Sequence, residues 1–172
     1  MKERILTSLL TVFVITGIQS QSPTPVPRLV VGLTIDQLRA DYIEAFSALY
    51  GERGFKRLLK EGRIYTNAEY DFINVDRSSA TASIYTGTTP YYNGIPANRW
   101  MDRNSLRIIK SVDDQSFMGV YTSESSSAKL LRCSTLSDEL KVATQGRAEV
   151  YSIAPTREMA VLAAGHAADG AF

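Results

Sequence analysis

The run RLVVGLTI, Arg28 to Ile35, constrains the fold more than any other stretch of this chain. It is almost continuously apolar and rich in β-branched residues, without the alternation of a strand that has one wet face. Such a run suits a strand buried on both faces, the habit of parallel sheets covered by helices. Parallel neighbours need crossover connections, and the chain supplies helical patterns in alternation with strand patterns. Leu38, Tyr42, Phe46 and Leu49 recur at helical spacing after Asp36, and Gly51 can close that helix. Phe55, Leu58 and Leu59 mark a second short helix that stops at Gly62, and RIYTNAEY (63–70) reads as another strand. The segment TTPYYNGIPANRW carries Pro and Asn-Gly turn signals. Residues 101–121 read as a short β excursion, with LRIIKS as its clearest strand. Thr135 and Asp138 can form a capping box for a helix through Leu136, Leu140 and Ala143, ended by Gly146. AEVYSIA reads as a third core strand and REMAVLAAG as a final helix. The expected fold class is therefore α/β, a mostly parallel sheet with helices on both faces and a small β insertion. GHAADGAF is expected to be a loop with no closing strand, so residues 28–172 are read as the N-terminal part of a longer domain.

The first residues are set apart from that domain. MKER is a charged start, and the uncharged apolar run ILTSLLTVFVITGI is short for a bilayer span. The polar QSQSPTPVP follows it, and the pattern is that of a secretory signal peptide over 1–21, leading into a stiff Pro-rich linker over 22–27. The expected location is outside the cytoplasm, secreted or periplasmic in a bacterium, with no stable membrane span after cleavage. Without Lys2, Glu3 and Arg4, 17 basic and 17 acidic residues remain. That balance leaves no electrostatic footprint for nucleic acid or an anionic membrane. Cys133 is the single cysteine, so no internal disulfide is available and a small packed residue is expected there.

Chemistry concentrates in two places. Asp36 ends the first strand pattern, and ligands of open α/β sheets sit at the carboxyl ends of strands, where a carboxylate can hold a metal. The same residue also suits an N-cap for the following helix, and position alone leaves the two readings open. DRSSATASIYTG, Asp76 to Gly87, runs small hydroxyl residues into a helix, a layout that presents hydroxyl and backbone N–H groups to an anion.

VVGLTIDQLRADY, SIYTGTTPYYNGI, ANRWMD and AAGHAADGAF, in that order, resemble the alkaline phosphatase superfamily over about residues 28–172. The likeness is to its secreted bacterial phosphatases and its type I phosphodiesterase/nucleotide pyrophosphatase branch. The resemblance implies a metal-dependent phosphoric ester hydrolase acting on small phosphate esters, with two zinc ions or related divalent metals. It makes Asp36 a metal ligand and Asn98 a contact to a non-bridging phosphoryl oxygen. In relatives a Thr or Ser nucleophile lies ten residues before the Gly of the Y-T-G stretch, and counting back from Gly87 reaches Arg77. A guanidinium stays protonated and cannot attack phosphorus, although it binds phosphate or sulfate well. Ser78 takes the nucleophile's role under a shift of one residue. Otherwise Ser78, Ser79 and Thr81 are capping and packing residues, and the chain is a catalytically degenerate relative that binds phosphate- or sulfate-bearing ligands through Arg77. Arg157 matches the Arg of a Lys-x-Arg pair in some monoesterases, and the Lys has no counterpart. His166 is the only histidine, at a position that is architectural in relatives, where a packed or hydrogen-bonded ring is expected. A two-zinc site of this family needs several histidines, so the complete site is not expected within these 172 residues and the chain by itself is expected to be inactive.

Overall fold

The computed structural model describes residues 26–172, so the expected signal segment and most of the Pro-rich linker lie outside the described residues. The compact body is Gly32–Phe172.

Capping boxes start two of the described α-helices, and the other four begin without a side-chain cap. α1 (Ala40–Ala45) continues into a 3-10 turn at Ser47–Leu49, and α2 (Phe55–Glu61) ends at Gly62. α3 (Arg77–Thr86) starts on Asp76, whose carboxylate accepts from the Ser79 backbone N–H while the Ser79 hydroxyl accepts from the Asp76 N–H. Gly87 ends α3 in the left-handed region at φ 66°, where a side chain is strained. α4 (Pro90–Asn93) begins on a proline and is closed by Gly94 at φ 83°. α5 (Leu136–Ala143) carries the expected Thr135–Asp138 capping box, with both reciprocal bonds formed. α6 (Arg157–Ala164) is the expected final helix and buries Met159, Ala160, Leu162, Ala163 and Ala164.

The strands are shorter than expected. β1 (Arg99–Met101) pairs antiparallel with β2 (Ile108–Lys110), Trp100 opposite Ile109, which is the expected β excursion. β3 (Tyr151–Ser152) pairs in parallel with β4 (Gly170–Ala171), so the C-terminal stretch does contain a strand where only a loop was expected. Two expected strands are absent. Residues 28–35 and 63–70 have no ladder partner among the described residues, and Leu29, Leu33 and Tyr65 are at least 74% exposed. Apolar, β-branched composition describes a side-chain surface awaiting partners, and a strand exists only where another backbone completes its ladder.

The core lies under α3 and α6, which pack against each other. Ala82, Ile95, Val112, Ala128, Leu131 and Leu162 form it, with Trp100, Leu130 and Val161 against its edge. On α3 the inward positions are Ser78, Ser79, Thr81 and Ala82, small enough for a second helix to approach closely. Cys133 is partly buried with its thiol near the Tyr92 carbonyl oxygen, the packed role expected of it.

Candidate functional site

The start of α3 forms one wall of an open cleft of about 730 Å³. Asp36, Tyr70, Asp76, Arg77 and Asn98 line it with the apolar side chains of Ile35, Leu38, Val75 and Ile84. Three of the expected site residues, Asp36, Arg77 and Asn98, therefore meet in one place although 62 positions of sequence separate the first from the last.

Arg77 Nε donates to Asp36 Oδ2 at 2.8 Å, both side chains remaining about half exposed. Asp36 is not an N-cap. The helix begins at Ala40 behind Arg39, and Asp36 sits in a turn with Gln37 at φ 59°. The neighbouring Tyr70 hydroxyl has its pKa raised by burial and by the negative charge of Asp36. Asp76 uses both carboxylate oxygens structurally. Oδ1 accepts from Ser79 N, and Oδ2 accepts from Asn98 N at 2.6 Å, which fastens the entry to β1 onto the first turn of α3. The role of Asp76 was legible from its position three residues before a Ser, the spacing of a capping box, and sequence reasoning did not use it.

Ser78 does not line the cleft. It is fully buried, donates to Asn98 Oδ1 at 3.2 Å, and lies 3.1 Å from the equally buried Ser111 hydroxyl. A hydroxyl so enclosed has no approach to a phosphorus atom in the cleft. Ser79 and Thr81 serve as capping and packing residues.

Arg157 is held elsewhere. It lines a separate hollow with Lys110, Asp113 and Glu124, and its guanidinium is paired with Asp113 (2.5 Å) and Glu124. Those two carboxylates engage both terminal nitrogens of Arg157.

His166 is architectural, as expected. Its Nδ1 lies 2.9 Å from Asp138 Oδ2 and its Nε2 3.0 Å from the Leu131 carbonyl oxygen. Burial works against the imidazolium, but the hydrogen bonds to Asp138 and Leu131 outweigh it and raise the pKa above 6.5. Burial likewise opposes the Asp138 carboxylate, and hydrogen bonds from His166 and Thr135 outweigh it to hold that carboxyl below 3.8.

Among the described residues no group of three or more His, Cys, Asp or Glu side chains can hold a metal ion. Asp36 is one carboxylate facing a guanidinium, and alone it is too little to hold a divalent cation.

The model of the family described as type I phosphodiesterase / nucleotide pyrophosphatase matches residues 30–156. The chain belongs to that family. The chain is 40% identical over 149 residues to alkaline phosphatase PhoV of Synechococcus elongatus, covering 85% of this chain and 27% of PhoV. It is 34% identical over 171 residues to alkaline phosphatase PafA of Elizabethkingia meningoseptica, covering 95% of this chain and 31% of PafA. The chain thus spans less than a third of the length of these relatives. The crystal structure of PafA superposes with a TM-score of 0.82 at 33% identity, covering 87% of this chain and 29% of that one. The α/β fold of the alkaline phosphatases is therefore the fold of this phosphodiesterase-family chain, present in part. A second PafA structure carries four substitutions, the first two at a threonine and an asparagine. Those two lie as far apart in sequence as Arg77 and Asn98 do here.

Proposed function

We propose that this chain is the N-terminal portion of an exported, metal-dependent phosphoric ester hydrolase, a phosphatase or phosphodiesterase, whose cleft receives the phosphoryl group of a small ester. One observation carries the reading: Asp36, Arg77 and Asn98 line a single cleft at the start of α3. The naming of PhoV and PafA as alkaline phosphatases supports it. Arg77 supplies a forked donor for phosphoryl oxygens and Asn98 an amide donor beside it. Asp36 is the proposed metal ligand, with zinc the proposed metal and further ligands outside the described residues. When bound, such a metal lowers the pKa of a hydroxyl or stabilises a leaving oxygen. Export, to the periplasm or beyond, rests on the N-terminal sequence. No helix among the described residues is long and apolar enough to cross a membrane.

A second reading, binding of phosphate- or sulfate-bearing ligands without turnover, is favoured by a specific arrangement. Arg77 stands at the nucleophile's interval, and the adjacent Ser78 hydroxyl is sealed inside. The test compares turnover of 4-nitrophenyl phosphate and its bis ester by the full-length protein with added zinc, alongside calorimetric binding of inorganic phosphate. Turnover establishes the hydrolase. Binding without turnover, lost in Arg77→Ala, establishes the second reading, and neither binding nor turnover rejects both. In the hydrolase Asp36→Ala lowers zinc occupancy, and unchanged zinc content removes Asp36 from the site. Arg157→Ala separates the two hollows: it leaves phosphate binding at the cleft within twofold, and a larger loss returns Arg157 to the site.

A further inference from the structure

Ser78 is the residue in this region whose burial is hardest to reconcile with chemistry, and its hydrogen bonds say what it does instead. Asn98 is held at three points. Its N–H donates to Asp76 Oδ2 and its carbonyl oxygen accepts from Ser111 N at 2.9 Å, so the backbone is fixed. Its side-chain Oδ1 accepts from Ser78 Oγ at 3.2 Å, with Ser111 Oγ at 3.5 Å. Among the described residues no acceptor takes up Nδ2.

Counting protons shows why the amide cannot turn round. The two buried serines carry two hydroxyl protons between them, and the cluster offers three acceptors: Ser78 Oγ, Ser111 Oγ and Asn98 Oδ1. With Oδ1 inward, Ser111 donates to Ser78 and Ser78 donates to Asn98, so every proton is used. With Nδ2 inward, the amide donates to Ser78, Ser78 donates to Ser111, and the Ser111 proton has no acceptor among the described residues. A buried donor without a partner is disfavoured, and the serines, acceptors as well as donors, are selective only because they are buried together.

We infer that Ser78 is a positioning residue: its hydroxyl holds the Asn98 amide with Oδ1 inward, so that the two Nδ2 protons face the cleft as fixed donors to a phosphoryl oxygen. The inference rests on the proposed reading of the cleft as a phosphoryl site. It assigns Ser78 no contact with substrate, and it orders the residues in series, Ser111 to Ser78 to Asn98 to anion. A donor fixed before the anion arrives spares the cost of ordering it on binding.

The experiment uses the full-length protein with inorganic phosphate as probe. Ser78→Ala is expected to weaken phosphate binding about three- to tenfold, the span of one ordinary hydrogen bond. Asn98→Ala weakens it at least as much, and Ser78→Ala adds nothing further in the Asn98→Ala background, because there is no amide left to orient. Additive losses in the double variant overturn the inference. So does abolished turnover with phosphate affinity intact in Ser78→Ala, which marks a nucleophile. The wild-type protein gives an independent readout in the side-chain ¹H–¹⁵N resonances of Asn98. Rapid solvent exchange of both Nδ2 protons is expected without phosphate, with a shift on adding it, and protected Nδ2 protons overturn the inference even if Ser78→Ala does not fold. Solvent-facing Nδ2 protons together with no phosphate binding reject the phosphoryl reading and leave the orientation standing.

Discussion

Asp76 is the residue through which the cleft can be perturbed with a calculable effect. Replacing it by Ala removes the N-cap of α3, an interaction of about 1 kcal/mol. It also strips the Asn98 N–H of a charged acceptor at 2.6 Å, an exposed bond of about 1.5 kcal/mol, the low end for a charged group. The sum is about 2.5 kcal/mol. For a chain of this size each kcal/mol lowers Tm by about 2–4 °C, so Asp76→Ala is expected to melt about 5–10 °C below the parent. Asp76→Asn separates the two contributions. An amide keeps one acceptor oxygen and turns an N–H₂ group toward the other partner, so about half the loss is expected. Thermal unfolding followed by circular dichroism at 222 nm reads both. A Tm within 2 °C of the parent for Asp76→Ala, or equal losses for Ala and Asn, refutes the claim that one carboxylate serves two separate N–H groups.

Three further outcomes follow from the same geometry. Leu162→Ala empties a fully buried core position between α6 and the Ala82–Ile95 cluster and is expected to cost about 3 kcal/mol, read as a lower urea midpoint at constant m. Gly165→Ala places a Cβ 2.2 Å from Thr135 Oγ1 and 2.8 Å from Asp138 Oδ1 at φ 80°, so about 3 kcal/mol of destabilisation is expected in the same titration. The Asp138–His166 pair makes stability depend on pH in a definite direction. The raised His166 pKa means a contribution complete below 6.5 and lost as pH climbs through the folded value, while the depressed Asp138 pKa means a contribution lost as pH falls below 3.8. Tm should therefore fall as pH rises above about 6.5 in the parent and stay flatter in His166→Gln, and identical profiles would remove His166 from the linkage.

The helices were legible because their signals are local. Thr135 and Asp138 meet across one turn and Gly62 closes a helix within its own segment, whereas the short α4 (Pro90–Asn93) stands where only turn signals were read. The strands at 28–35 and 63–70 were not, because a ladder depends on a partner remote in sequence, and none stands beside either stretch among the described residues. The site divides the same way. Asp36, Arg77 and Asn98 came from fixed intervals along the chain and do share a cleft. The burial of Ser78 depends on Ser111, 33 residues away across the β excursion, and no local spacing announces it. Arg157 was placed by a match in its loop, while its partners Asp113 and Glu124 come from a different stretch and hold it at a separate hollow.

The apolar ribbon from Leu29 to Ile35 has a kinetic consequence. Leu29, Val31 and Leu33 are exposed by 76–80%, and their backbone N–H and C=O groups have no ladder partner among the described residues. An unpaired, β-branched edge is a template for any similar strand, including the same segment of another molecule. Arg28 and Asp36 flank it as single opposite charges and do little to hold two copies apart. Refolding of the chain is then a race between folding of the compact body, which is independent of concentration, and adhesion through this segment, which grows with it. Recovery should fall as the protein is made more concentrated.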